Sequence, residues 1–196
     1  MTKNLHKLPP DLPVPVDDGA CDHLPGMEMP PVELPATTGA ALNVAEASHD
    51  GPAVFFFYPR SGRPDEPRIP GWDDIPGARG CTPQSCAFRD HFSEFEALGV
   101  RVFGVSTQDT EYQREFAEWT KLPYPLLSDS DFVLTEALGL PTFEAGDMRL
   151  IRRVTLVVSH GRVEKVLYPV FPPDKNAEEV LAYLEKASPQ GIEQSG

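Results

Sequence analysis

The sequence predicts an α/β domain: a sandwich with a mixed central β-sheet flanked by helices. Three observations carry that expectation. Short runs that are apolar throughout, such as Ala53-Val54-Phe55-Phe56-Phe57-Tyr58, alternate with amphipathic segments of helical period, and such alternation indicates a sheet with parallel neighbours. Two runs near the C-terminus, Val154-Thr155-Leu156-Val157-Val158 and Val163-Glu164-Lys165-Val166-Leu167-Tyr168, flank His160-Gly161; this hairpin signature adds antiparallel pairing. A hydrophobic fraction of 40% over 196 residues is enough for a core without a covalent framework.

Residues 1–26 are rich in proline, as in Leu8-Pro9-Pro10 and Leu12-Pro13-Val14-Pro15. Proline withholds a backbone donor and fixes φ, so this stretch reads as an extended N-terminal arm. The domain is expected over 27–188, with 189–196 a flexible tail. The run Ala53 to Tyr58, closed by Pro59, reads as a strand buried on both faces. From Arg60 to Gly80 the chain is dominated by Pro, Gly, Asp and Arg, and a loop of that length tends to be functional or disordered. A helix follows, with Thr82 as predicted N-cap and Pro83 at the first helical position. Phe88, Phe92 and Phe95 form its apolar stripe and Gly99 ends it. Arg101 to Ser106 then reads as a strand, Thr110 to Leu122 as a helix and Tyr124 to Ser128 as a short strand. Asp131 to Leu138 is a predicted helix, the hairpin comes next, and Ala177 to Ala187 is the last helix.

A net charge of −13 argues against nucleic-acid binding, which needs lysines and arginines to neutralise phosphates. The acidity reads as a solubility feature. No apolar run approaches membrane-spanning length, and the start of the chain lacks the apolar segment of a secretory signal. Three cysteines are too few and too odd in number for a disulfide scaffold, which favours a reducing, cytoplasmic setting. Neither glycine-rich phosphate motif is present, and no cofactor is expected. His91 beside the cysteines does not make a zinc pattern, so no metal is expected either. Asp129 and Asp131 read as turn and capping residues.

The chemistry points to Gly80-Cys81-Thr82-Pro83-Gln84-Ser85-Cys86. Cys81 lies just before the predicted helix start, where unpaired N–H groups and about half a positive charge favour a thiolate. Cys86 lies about one and a half turns inside, nearly opposite the phenylalanine stripe. Two residues five apart on a helix have Cα atoms roughly 8–9 Å apart. A disulfide needs less than about 7 Å. Joining the two would therefore require the first turn to unwind, and helix ends open readily. Cys21, in the arm, reads as a passive thiol or a secondary partner.

These residues resemble the peroxiredoxins of the bacterioferritin-comigratory, or PrxQ-like, type. The matching segments are Phe55-Phe56-Phe57-Tyr58-Pro59, Gly80 to Asp90, Val102-Phe103-Gly104-Val105-Ser106, and Arg153-Val154-Thr155-Leu156-Val157-Val158. The resemblance implies a thioredoxin-like fold and a thiol peroxidase acting on hydrogen peroxide and organic hydroperoxides. It implies Cys81 as peroxidatic cysteine, Cys86 as its resolving partner in an intramolecular disulfide, and a thioredoxin- or glutaredoxin-like reductant. Arg153 would hold a positive charge near the thiolate, and Tyr58, Pro59, Thr82 and Gln84 would belong to the substrate pocket. Arg152 would face the other way. A monomer or weak dimer is expected. One departure stands out: the family's Pro-x-x-x-Thr-x-x-Cys pattern would place Pro at 74 and Thr at 78, where this chain has Asp74 and Ala78. Arg79 and Ser61 are candidate substitutes for the missing hydroxyl. Two other readings remain open: a redox sensor that binds a partner on oxidation, and a general thiol–disulfide oxidoreductase, although the latter's usual Cys-x-x-Cys is missing.

Overall fold

The computed structural model describes residue 5 and residues 7–187. The expected tail at 189–196 lies outside the described residues. In chain order the elements are β1 (Glu33–Pro35), β2 (Ala41–Asn43), β3 (Ala53–Phe57), α1 (Cys81–Asp90), α2 (Phe92–Ala97), β4 (Arg101–Ser106), α3 (Thr110–Thr120), β5 (Leu126–Ser128), α4 (Val133–Ala137), β6 (Thr142–Ala145), β7 (Met148–Ile151), β8 (Val154–Ser159), β9 (Arg162–Leu167) and α5 (Asn176–Ala187). Five strands form the central sheet in the order β5-β4-β3-β8-β9. β3 runs parallel to β4, with Phe55 opposite Phe103, and antiparallel to β8, with Phe55 opposite Leu156. The expected mixed sheet is therefore the observed one, and β8 and β9 form the expected hairpin.

β3 is central, and its side chains divide between two cores as a period of two demands. Phe55 and Phe57 enter one core with Leu134 of α4 and Leu138, which caps that helix. Val54, Phe56 and Tyr58 enter the other with Phe88 of α1, Phe116 of α3 and Val180 of α5. Phe56 stacks on Phe88 with centroids 4.4 Å apart and planes 9° apart, which seats α1 on the sheet. Among the described residues, no helix is long and apolar enough to cross a membrane.

The segment before residue 27 packs more closely than an extended arm implies. Cys21 and Leu24 are buried in the first core, and Gly26 N–H donates to Val163 O at 2.8 Å. At the opposite edge, Thr37 N–H donates to Leu126 O at 2.9 Å. The N-terminal segment thus covers backbone on both outer strands, which removes pairing sites that exposed edges would offer.

α1 begins two residues earlier than the Thr82 cap predicts. Gly80 is the N-cap, and its carbonyl accepts the first helical bond from Gln84 N–H at 3.0 Å. Gly80 has φ 111°, and a Cβ there would lie 2.3 Å from Pro173 Cγ. A long-range contact therefore selects glycine and moves the helix start. Cys81 becomes the first helical residue, with Thr82 and Pro83 in the first turn. The predicted single helix to Gly99 also breaks at His91 (φ −100°, ψ 8°), giving α1 and α2. The 60–80 segment folds back through a 3-10 turn at Trp72–Asp74. Trp72 and Ala78 pack there on Ala145 and Leu150 of the β6–β7 hairpin.

Candidate active site

Cys81 is buried at the N-terminal end of α1. Arg153, in the link between β7 and β8, reaches it across the site: Nη2 lies 3.3 Å from Cys81 Sγ. The same nitrogen donates to the carbonyls of Ala78 (3.2 Å) and Arg79 (3.4 Å). Arg153 Nη1 donates to Gln84 Oε1. Arg152 points elsewhere, its guanidinium 5.9 Å from the Phe143 ring centroid. The backbone turn before Cys81 is thus clamped by one buried guanidinium that also faces the sulfur.

Behind this clamp lies a residue that sequence reasoning did not select. Gln84 Nε2 donates to Asn176 Oδ1 at 2.9 Å, and Thr155 Oγ1 donates to the same oxygen at 2.7 Å. Asn176 is the first residue of α5, where asparagine reads as an ordinary helix-start residue, so no sequence signal marked it. It fixes the amide orientation of Gln84 and through it Arg153. Asn176→Leu leaves two buried donors unpaired; it is expected to destabilise the fold by about 1–3 kcal/mol and to slow peroxide reduction about tenfold. Asn176 Nδ2 has no hydrogen-bond partner, so Asn176→Asp keeps the acceptor and should restore most of the rate. Thermal melts and stopped-flow peroxide consumption on both variants check this; equal rates in wild type and Asn176→Leu would remove the positioning role.

A cavity of about 120 Å³ opens at Cys81. Thr82 lines it; Tyr58, Pro59 and Gln84 do not, and are buried behind it. Tyr58 donates to Gln113 Oε1 at 3.0 Å, and burial holds its phenol well above the ordinary range. At position 78 the backbone carbonyl, not a side-chain hydroxyl, faces the site, 3.7 Å from Cys81 Sγ. Arg79 and Ser61 both line the cavity, and Ser61 Oγ is bonded to Gln108 Oε1 at 3.0 Å. The described residues include no group of three or more His, Cys, Asp or Glu able to hold a metal.

Cys86 is buried on the unbroken α1, and the structure holds no disulfide among the three cysteines. Burial pushes its thiol up, offset in part by Arg89. Cys21 is pushed up to about 12 by burial and nearby aspartates. It sits in the core on the opposite side of the sheet from Cys81, which removes it as a direct partner in this fold.

A family model described as Redoxin matches residues 24–181. The chain belongs to the Redoxin family. Within it, the Mycobacterium tuberculosis protein named "Putative peroxiredoxin Rv1608c" is 33% identical over 153 residues, covering 78% of this chain and 90% of that one. The chloroplastic peroxiredoxin Q of Arabidopsis thaliana is 35% identical over 137 residues, 68% of this chain and 55% of its own length. The crystal structure of peroxidoxin BcpB from Mycobacterium tuberculosis superposes with a TM-score of 0.69 at 30% identity, covering 85% of this chain and 99% of that one. This peroxiredoxin is of the Q, or bacterioferritin-comigratory, type, with a thioredoxin-like fold. It is a thiol peroxidase, an oxidoreductase of the class that reduces peroxides with thioredoxin-like reductants.

Proposed function

We propose that this peroxiredoxin works through Cys81 as peroxidatic and Cys86 as resolving cysteine. The observation that carries the reading is Arg153 Nη2, 3.3 Å from Cys81 Sγ at the first turn of α1, with a cavity opening on the sulfur. The Cys81 thiolate attacks one peroxide oxygen; the O–O bond breaks, Cys81 becomes a sulfenic acid, and the departing oxygen leaves as an alcohol or water after taking a proton. Arg153 stabilises the thiolate and the charge on the departing oxygen. The first turn then unwinds, and the Cys86 sulfur attacks the Cys81 sulfenic acid; the S–O bond breaks, and the departing hydroxide takes the Cys86 thiol proton, giving the disulfide and water. A thioredoxin-like dithiol restores both thiols by exchange. The covered sheet edges support a monomer or weak dimer, and the low, odd count of three cysteines supports a reducing, cytoplasmic setting.

The test is stopped-flow mixing of reduced protein with hydrogen peroxide, with and without thioredoxin and its reductase, followed by thiol mapping. A Cys81–Cys86 disulfide and sustained turnover are expected. Cys86→Ser should consume one equivalent and stop as a sulfenate; sustained turnover in that variant assigns resolution elsewhere.

Resolution should also depend on pH in a defined direction. The Cys86 thiol is raised while α1 is intact, and unwinding returns it toward the ordinary value of about 8.5. Above that value the unwound state binds fewer protons, so intact α1 loses stability as pH rises toward the raised value. Below it this contribution is flat. Disulfide formation after a single peroxide pulse should therefore accelerate as pH rises through about 8.5. A rate unchanged across that window counts against Cys86 as the attacking thiol.

A further inference from the structure

We propose that arginines of the 60–80 segment form an anion-anchoring subsite beside Cys81, selecting hydroperoxides that carry a carboxylate on a short apolar frame. The inference rests on the peroxidase reading and names the substrate class of that site. Arg60, Arg63, Arg68 and Arg79 line the cavity, against a single lining carboxylate, Glu66, among the described residues. This positive wall stands in a chain of net charge −13.

The pairing pattern shows which guanidinium groups are available. Arg63 is engaged by Glu66 at 2.8 Å and Glu115 at 2.6 Å. Arg68 and Arg79 share one carboxylate: Asp73 lies 2.6 Å from Arg68 Nη1 and 3.9 Å from Arg79 Nη1. Arg79 is 7% exposed and its Nη2 makes one long bond, to Lys7 O at 3.5 Å, while the buried Nε atoms of Arg68 and Arg79 have no hydrogen-bond partner. Arg60 stacks over Tyr112 at 5.0 Å and forms no ion pair among the described residues. Buried donors left unpaired are costly, and a guanidinium matches a carboxylate in two parallel bonds. Burial and neighbouring Arg68 weaken Arg79 as a cation, and an entering carboxylate would oppose both effects.

The rest of the cavity suits the other end of such a molecule. Ile69, Trp72 and Met148 supply apolar wall, while Cys81 is the reacting atom. A cavity of about 120 Å³ is close to the roughly 150 Å³ that holds benzene, so the frame is a few carbons long. The reaction is the one above: the thiolate takes the terminal oxygen, and the carboxylate-bearing alcohol leaves.

The test compares wild-type kcat/KM for three substrates: hydrogen peroxide, a tertiary hydroperoxide of a five-carbon carboxylate, and the methyl ester of that hydroperoxide. The acid should be favoured over the ester by about 10- to 100-fold, the range for hydrogen bonds to a charged group, and the preference should shrink as salt is added. Arg79→Gln should bring the acid-to-ester ratio toward one, and Arg60→Gln should lower it by less. Equal rates for acid and ester in wild type, with hydrogen peroxide still reduced, overturn the anchor alone. So does an unchanged ratio in both variants. Failure to reduce any of the three peroxides overturns the peroxidase reading with it.

Discussion

Cys81→Ser is expected to lower peroxide turnover by roughly 10³-fold or more, the scale seen when a nucleophile acting as a unit with its partners is removed. Serine fills nearly the same space, and its hydroxyl can still face Arg153 Nη2, which stands 3.3 Å from the native sulfur. The fold should therefore survive and the melting temperature change little. What is lost is a soft, polarisable sulfur nucleophile that can accept an oxygen and release it again by disulfide exchange. Peroxide consumption in a thioredoxin-coupled assay, with the intact mass of the variant after a peroxide pulse, measures the effect. Turnover within a few-fold of wild type would move the nucleophile to another cysteine. Cys21 is a poor successor: with its thiol at about 12, only about one molecule in 10⁵ carries a thiolate at neutral pH. Cys21→Ser should accordingly leave turnover unchanged.

The parts of this molecule that could be read from sequence are those whose causes are local. The unbroken apolar run of β3 implied burial on both faces, and its side chains do divide between two cores. His160-Gly161 implied a tight hairpin, and both residues adopt positive φ. The β6–β7 hairpin was missed although Gly146-Asp147 is a recognised two-residue turn signal, because the strands beside it are only four residues each. The helix start was displaced by two residues because Pro173, nearly a hundred positions away, presses on Gly80. Cys81, Gln84 and Arg153 were named together only because a known motif links them; propensity says nothing about a guanidinium reaching across seventy residues. Asn176 and the underpaired Arg68 had no such motif, and Arg79 was singled out only as a substitute for the missing hydroxyl. Their surroundings exist only once α5 and the 60–80 segment are folded onto α1, so no window of sequence contains the signal.

Arg153→Met should lower kcat/KM for hydrogen peroxide by about 10²–10³-fold, the range for removing one preorganised donor from a developing anion. The native guanidinium serves four acceptors at once: Cys81 Sγ, the carbonyls of Ala78 and Arg79, and Gln84 Oε1. Methionine fills the space and supplies none of these bonds. It also removes a buried charge, and the desolvation regained offsets much of what the two backbone carbonyls and Gln84 Oε1 lose. The stability change should therefore be small beside the change in rate. Arg153→Lys separates charge from geometry. An ammonium keeps the positive charge but cannot present donors in one plane to four acceptors, so its rate should fall between wild type and Arg153→Met. Alkylation of Cys81 by iodoacetamide at neutral pH should slow in the same order, which a purely structural clamp would not produce. Retention of wild-type rate in Arg153→Met, with a lowered melting temperature, would reduce Arg153 to a tie on the 78–79 backbone. The positive charge at the sulfur would then have to come from Arg79, two residues before Cys81 on the cavity wall.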